Sequence, residues 1–300
     1  MASPRTALLL PGQGSQRPGM GRDWIDTPQW RLVSEASDVL GRDLAPLLLE
    51  ADADGLRPTD LAQVSTHLMS LIALDAVRAL VPDVCLIAGH SLGEYTALVA
   101  AGALDLPSGL ELVAARGAAM RAAAEDRPGT MAAVLGVDAE QVTAACAEVA
   151  EAWPANYNGP QHVVISGTAE GVEEAAALAR DRGARRVLML PVGGAFHTPL
   201  MAPALAALET ALRQPSWQQT AIPVISNVDA RPHQDGWQAR LAEQLLAPVR
   251  WSGTLQLLVD SGVERVIECG PGGVLTALAR RAPGLTAISV SAAADLASLV

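Results

Sequence analysis

The chain has 300 residues, half of them apolar, which is material for one large buried core with a small insert and rules out a disordered chain. Its formal net charge of −11 at pH 7 speaks against nonspecific binding to nucleic acid or to an anionic membrane. All 21 basic residues are Arg and none is Lys, which excludes Schiff-base lysines, Ser-Lys dyads and Walker-type phosphate loops.

The first expected element is a strand, "TALLL" (6–10), too short for the apolar core of a signal peptide. It runs into "PGQGSQRPG", where Arg17 stands at the third glycine of a dinucleotide fingerprint, so a turn whose N–H groups face a ligand is the better reading. The longest apolar stretch is broken by Asp75, Arg78 and Asp83 and falls short of a membrane span, so a cytoplasmic protein is expected. A strand "VCLIAG" (84–89) then precedes a short helix in "EYTALVAAG", closed by Gly102, and "PSGLELVAARGAAMRAAAE" is helical. Between 128 and 192 the rhythm tightens: "TMAAVLG", a helix from Asp138 to about Ala150, "PANYN", "HVVISG", a helix over 169–182, and "RRVLML". That order is βαββαβ, the split βαβ unit. The strands "PVIS" (223–226), "RVIEC" (265–269) and "TAISV" (286–290) alternate with Ala/Leu-rich helices, which means a parallel sheet covered on both faces. The expected organisation is therefore α/β, with a large domain from 1–127 and 193–300 and a small subdomain over 128–192. Cys85, Cys146 and Cys269 are odd in number and far apart, which argues against a disulfide framework and a cysteine-ligated metal. "RDRGARR" (180–186) and "ARRAPG" (279–284) are candidate positive patches, or else solvated helix ends.

"IAGHSLGEYTALVAAG" (87–102) places Ser91 between Gly89 and Gly93, after a strand and before a helix. This is the setting of a nucleophile elbow, where a tight turn lifts the hydroxyl above the sheet; the alternative is a capping serine. A serine hydroxyl needs a base within hydrogen-bond reach. His90 is too close in sequence and is expected to line the pocket, its side chain pointing away from that of Ser91. His67 and His162 fall in a helix and a strand, and His233 reads as a surface turn. His197, in "LPVGGAFHTPLM", follows a strand end and precedes a Pro-started helix, the place where open α/β sheets gather their sites. Between Ser91 and His197 no acidic residue sits at an equivalent strand-end loop, so a dyad is expected rather than a triad, with a backbone carbonyl holding the imidazole tautomer.

"LLPGQGSQRPGMG", "GHSLGEYTALVAAG", "LVAARGAAM", "ANYNGPQHVVISG", "AFHTPLM", "ISNVDA", "QLLAPVRW" and "ECGPGGVLTAL" resemble, in order and spacing, the malonyl-CoA:acyl carrier protein transacylases, from about residue 6 to about residue 281. The resemblance implies an α/β-hydrolase-like large domain carrying a ferredoxin-like small one. It also implies that Ser91 is the nucleophile and His197 its general base. By the same resemblance the Gln244 main-chain carbonyl holds the His197 ring, and Gln13 and Leu92 supply the oxyanion-hole amides. Gln63 and His90 line the acyl pocket, and Phe196, ahead of the histidine, goes with malonyl rather than methylmalonyl. Arg116 decides between reaction classes, because its planar fork can take the free carboxylate of a malonyl group; the alternative is an exposed helix Arg paired with Glu111 or Glu125. Similar enzymes carry other residues where Gly193, Gly194, Ala195 and Thr198 stand here. The expected activity is ping-pong transfer of malonyl from malonyl-CoA to an acyl carrier protein, by a monomer without metal or redox cofactor. The rivals are an acyl hydrolase that clears carrier proteins, an idle docking module, and the transferase subunit of a malonate decarboxylase.

Overall fold

Short Leu/Val/Ile-rich runs alternating with Ala-rich helices produce two sheets in the computed structural model, which describes residues 4–299. Strands β1 (Thr6–Leu10) and β2 (Val84–Gly89) are separated by helices α1 (Arg31–Leu40), α2 (Ala45–Leu49) and the long α3 (Thr59–Leu80). Then come α4 (Leu92–Ala100), α5 (Leu106–Asp126), β3 (Thr130–Leu135), α6 (Ala139–Ala147), β4 (Ala152–Gly159), β5 (His162–Gly167), α7 (Ala169–Asp181) and β6 (Arg186–Met189). The chain continues through α8 (Ala202–Leu212), β7 (Val224–Ile225), β8 (Pro232–His233), α9 (Trp237–Leu246), α10 (Trp251–Asp260), β9 (Arg265–Cys269), α11 (Val274–Ala279) and β10 (Thr286–Val290).

The larger sheet has the order β10-β9-β1-β2-β7-β8 and is parallel except for the edge strand β8. Alternate residues of its central strands enter two separate cores. Ala7 and Leu9 pack with Leu86, Ala88 and Val266 on one face, while Leu8 and Leu10 pack with Ile87, Val224 and Ile267 on the other. A strand apolar on both faces can only be central, with helices on either side.

The smaller sheet is antiparallel, in the order β4-β5-β3-β6, and is built from residues between 130 and 189. Ala132, Val134, Val163 and Ile165 face a core shared with α6 and α7, whereas Ala133 and Val164 turn to the main core. Two backbone bonds tie the smaller sheet to the segment between α9 and α10: Tyr157 N–H donates to Val249 O and Val249 N–H to Ala155 O, both at 2.8 Å. Helix α6 ends at Ala147 rather than near 150, because β4 already pairs with β5 at Ala152↔Gly167 and the chain must be extended by then. The strand β8, absent from the sequence reading, takes in His233, whose ring pairs with Asp229 at 2.8 Å rather than ending a free turn.

Close backbone approach sets the turn after β2. His90 N–H donates to Leu10 O at 3.0 Å, and the turn brings Gly93 so near the carbonyls of Leu10 and Pro11 that a Cβ there would overlap them. Only glycine fits against backbone that cannot yield. We therefore expect Gly93→Ala to lower unfolding free energy by about 3 kcal/mol, the upper range for overpacking. Gly193→Ala, in open space, should stay within about 0.5 kcal/mol. Urea unfolding midpoints check both, and equal midpoints for the two variants would refute the steric account.

Candidate active site

Ser91 stands at the strand-to-helix turn with φ 53° and ψ −108°, a strained backbone that lifts its side chain off the sheet end. His197 lies in the loop between β6 and α8, also at positive φ (60°). The fold brings them together from 106 residues apart, with Ser91 Oγ 2.7 Å from His197 Nε2. The Nδ1–H donates to the Gln244 main-chain carbonyl at 2.9 Å, with the Ala247 carbonyl at 3.2 Å. That leaves Nε2 as the acceptor for the serine proton. Burial, and then the nearby Arg116 charge, pushes His197 from its ordinary 6.5 down to about 3, so the ring is neutral at physiological pH.

Arg116 projects from α5 into the same place and is 1% exposed. Its Nη2 donates to Ser91 Oγ at 3.2 Å and to the Gln244 side-chain oxygen at 3.2 Å, and its Nη1 donates to Gln63 Oε1 at 2.7 Å. The guanidinium carbon lies 5.0 Å from the Tyr95 ring centroid. Burial works against its charge, with Tyr95 and Glu94 nearby acting in its favour. Neither Glu111 nor Glu125 pairs with it; Glu125 pairs with Arg121 at 2.9 Å. Among the described residues Arg116 has no salt bridge, and its Nε has no partner. A buried cation without an anion is costly to hold, and an incoming anion would relieve that cost.

The backbone around the hydroxyl is fixed from β7 and α9. Asn227 accepts from Ser91 N–H at 2.7 Å and donates to Gly89 O at 2.6 Å. Gln244 Nε2 donates to Ser91 O at 2.9 Å and to Glu94 Oε2 at 2.7 Å. Leu92 is the first residue of α4 and Gln13 sits in the loop after β1; among the described residues neither amide donates to a protein acceptor. A helix-N-terminal N–H left free beside a nucleophile can receive an oxyanion. His90 Nε2 bonds Asn158 Oδ1 at 2.9 Å, and its ring lies 5.3 Å from that of Trp251. Its contacts are thus with the smaller sheet and α10. The Phe196 ring is buried against Gly194, where any Cβ would meet its edge, so the glycine makes room for the ring. Thr198 is buried and caps the turn after His197, accepting from Leu200 N–H at 3.2 Å.

The chain matches the acyl transferase domain family over residues 8–282. It belongs to that family. It is 40% identical over 287 residues to a malonyl CoA-acyl carrier protein transacylase of Bacillus subtilis, covering 92% of this chain and 90% of the relative. A malonyl-CoA:acyl carrier protein transacylase from Xanthomonas oryzae superposes with TM-score 0.93 at 40% identity, over 99% of this chain and 98% of the other. A malonyl-transacylase solved in complex with its type II PKS acyl-carrier protein superposes with TM-score 0.94 at 36% identity, over 98% of both chains.

In this acyl transferase the sequence reading missed Glu94, Asn227, Asn158 and Tyr95. Glu94 had one available signal, its place three residues after Ser91, one helical turn on. Asn227 and Asn158 lie 136 and 68 residues from their partners, a distance no local pattern spans. No helix is long and apolar enough to cross a membrane among the described residues.

A groove of about 580 Å³ opens between the smaller sheet and α10–α11, lined among others by Gly136, Asn158, His162 and Arg281. Arg281 lines this groove directly, and the side-chain carbons of Arg185 pack on Gly136, one of its lining residues.

Burial also lowers His67 to about 3 and His90 to about 4. The unfolded chain binds protons at these three histidines near pH 6.5, while the folded one does not, so stability present above 6.5 is lost as the pH falls. Glu94, raised to about 7 by burial, acts oppositely: its contribution grows as the pH falls through 7. His162 adds to the histidines and Glu268 to Glu94. From pH 7 to 5 each of the three histidines costs about 2 kcal/mol and Glu94 returns about 2. The urea midpoint should therefore fall between pH 7 and pH 5; a flat or rising midpoint would contradict the neutral buried imidazoles.

Proposed function

We infer that this acyl transferase moves a malonyl group from malonyl-CoA, through an ester on Ser91, to the phosphopantetheine thiol of an acyl carrier protein of fatty-acid or polyketide synthesis. The observation that carries the reading is Arg116, a buried guanidinium without a carboxylate partner among the described residues, 3.2 Å from the hydroxyl that faces His197. The names of the Bacillus subtilis relative and of the carrier-protein complex support the same substrate and partner.

Ser91 Oγ attacks the thioester carbonyl as its proton passes to His197 Nε2. The Gln13 and Leu92 amides take the oxyanion, each donor worth roughly 3–4 kcal/mol of barrier. The carbon–sulfur bond breaks, the imidazolium protonates the departing coenzyme A sulfur, and a malonyl ester remains. In that ester Oγ is a poor acceptor, so Arg116 Nη2 is released toward the malonyl carboxylate, with Gln63 holding the other nitrogen. The carrier-protein thiol then gives its proton to His197 and reverses the steps. None of these steps calls for a metal ion or redox cofactor. His90 and Phe196 shape the acyl pocket, Phe196 filling the room an α-methyl would need.

The two units, 1–127 with 193–300 and 128–192, form the walls of the cleft, a reading supported by the reach of Asn158 to His90. An acidic carrier protein suits the groove lined by Arg281, with Arg185 packed on its Gly136. The three free cysteines suit a reducing cytoplasm.

Incubation with malonyl-CoA is expected to add one malonyl mass to the protein, and Ser91→Ala to abolish the gain; an alanine variant that still gains the mass would displace Ser91 as nucleophile. Arg116→Ala is expected to lower malonyl loading relative to acetyl loading by about a hundredfold, the worth of two charge-assisted hydrogen bonds. Equal losses for both acyl groups, measured as kcat/KM, would remove the carboxylate clamp.

A further inference from the structure

Glu94 is fully buried one helical turn after the nucleophile, and the reaction as written makes no use of it. Its two carboxyl oxygens face donors from different elements. Oε1 accepts from Asn227 N–H at 3.3 Å, at the end of β7, and Oε2 accepts from Gln244 Nε2 at 2.7 Å, on α9. Both donor residues also touch the nucleophile's backbone: the Asn227 side-chain oxygen takes the Ser91 N–H and Gln244 Nε2 gives to the Ser91 carbonyl.

The Gln244 amide has one oxygen and one NH2 group, and its neighbours dictate which way it lies. Two acceptors, Glu94 Oε2 and Ser91 O, lie on one side at 2.7 and 2.9 Å. The Arg116 Nη2 donor lies on the other at 3.2 Å. The NH2 must therefore point to Glu94, and the oxygen to the guanidinium. Without the acceptor at residue 94, only Ser91 O and the guanidinium itself would hold the amide against a half-turn that sets its NH2 against a cation.

We propose that Glu94 is a positioning residue that locks the Gln244 amide oxygen onto Arg116 and so holds the guanidinium in the direction that selects a carboxylated acyl group. This rests on the carboxylate-clamp reading of Arg116. The role needs one acceptor toward Gln244, not a full charge, so Glu94→Gln, with its oxygen on Gln244 and its NH2 on the side of the long 3.3 Å Asn227 contact, should serve where Glu94→Met should not.

The test measures kcat/KM for malonyl-CoA and acetyl-CoA on variants whose melting shows them folded. Glu94→Met is expected to reduce the malonyl-to-acetyl ratio about tenfold, the usual worth of a hydrogen bond to a charged group, while Glu94→Gln keeps it within about twofold. Gln244→Met, which keeps the main-chain carbonyl on His197, should reduce the ratio as Glu94→Met does, and the double variant should go no lower. A Glu94→Met variant that loses both substrates equally would overturn the proposal, as would additive losses in the double variant. Should Glu94→Met fail to fold, an unchanged ratio in Gln244→Met overturns it by itself. Arg116→Ala separates the two levels: an unchanged ratio there sinks the clamp and the proposal together, whereas a fall there beside a normal ratio in Glu94→Met sinks the proposal alone.

Discussion

One oxygen atom organises this molecule. Ser91 Oγ gives its proton to His197 Nε2 at 2.7 Å and accepts from Arg116 Nη2 at 3.2 Å, so a neutral base and a permanent cation meet at a single hydroxyl. The two demands reinforce each other. Arg116 helps to hold His197 unprotonated, and a charged donor on Oγ favours the negative charge that grows there as the proton leaves. In the proposed reaction the cation has a second purpose, because the acyl group it would select carries its own carboxylate.

Holding a guanidinium in the interior is expensive, and the surrounding structure is arranged around that cost. Two neutral amide oxygens, from Gln63 and Gln244, and the face of Tyr95 satisfy most of it without neutralising it. The nearest carboxyl, Glu94, is kept one residue away behind Gln244, and burial raises it to about 7. A direct ion pair in that position would occupy the fork that the proposed clamp leaves for a substrate carboxylate. The scaffold answers with rigidity elsewhere: positive φ at both Ser91 and His197, and a backbone at Gly93 with no room for a Cβ.

Much of this was legible in the residue order because it depends on local chemistry. Apolar runs five or six residues long, bounded by Gly and Pro, could only be buried strands, and the tight βαββαβ rhythm announced a second sheet. Ser91 could be singled out because it sits just past the end of the parallel strand β2, where sheets of this kind expose side chains. His197 lies eight residues beyond β6, an edge strand of the antiparallel sheet, so its choice stood on the poor placement of the other histidines and not on that rule. The His197 ring could be assigned a carbonyl partner from the absence of a suitable acid. What stayed hidden is what only folding assembles. Glu94 looks like any solvated acid of a first helical turn, and its burial depends on Asn227 and Gln244 arriving from 133 and 150 residues away. The environment of Gly194 was equally opaque: its freedom is taken up by the Phe196 ring lying against it.

The most direct test of this account is a crystal structure of the protein trapped with its acyl group after brief exposure to malonyl-CoA. The account predicts an ester at Ser91 Oγ, its carbonyl oxygen on the Gln13 and Leu92 amides and its free carboxylate bidentate on Arg116. A malonyl group whose carboxylate points to solvent, with Arg116 Nη2 still turned to the serine oxygen, would contradict it.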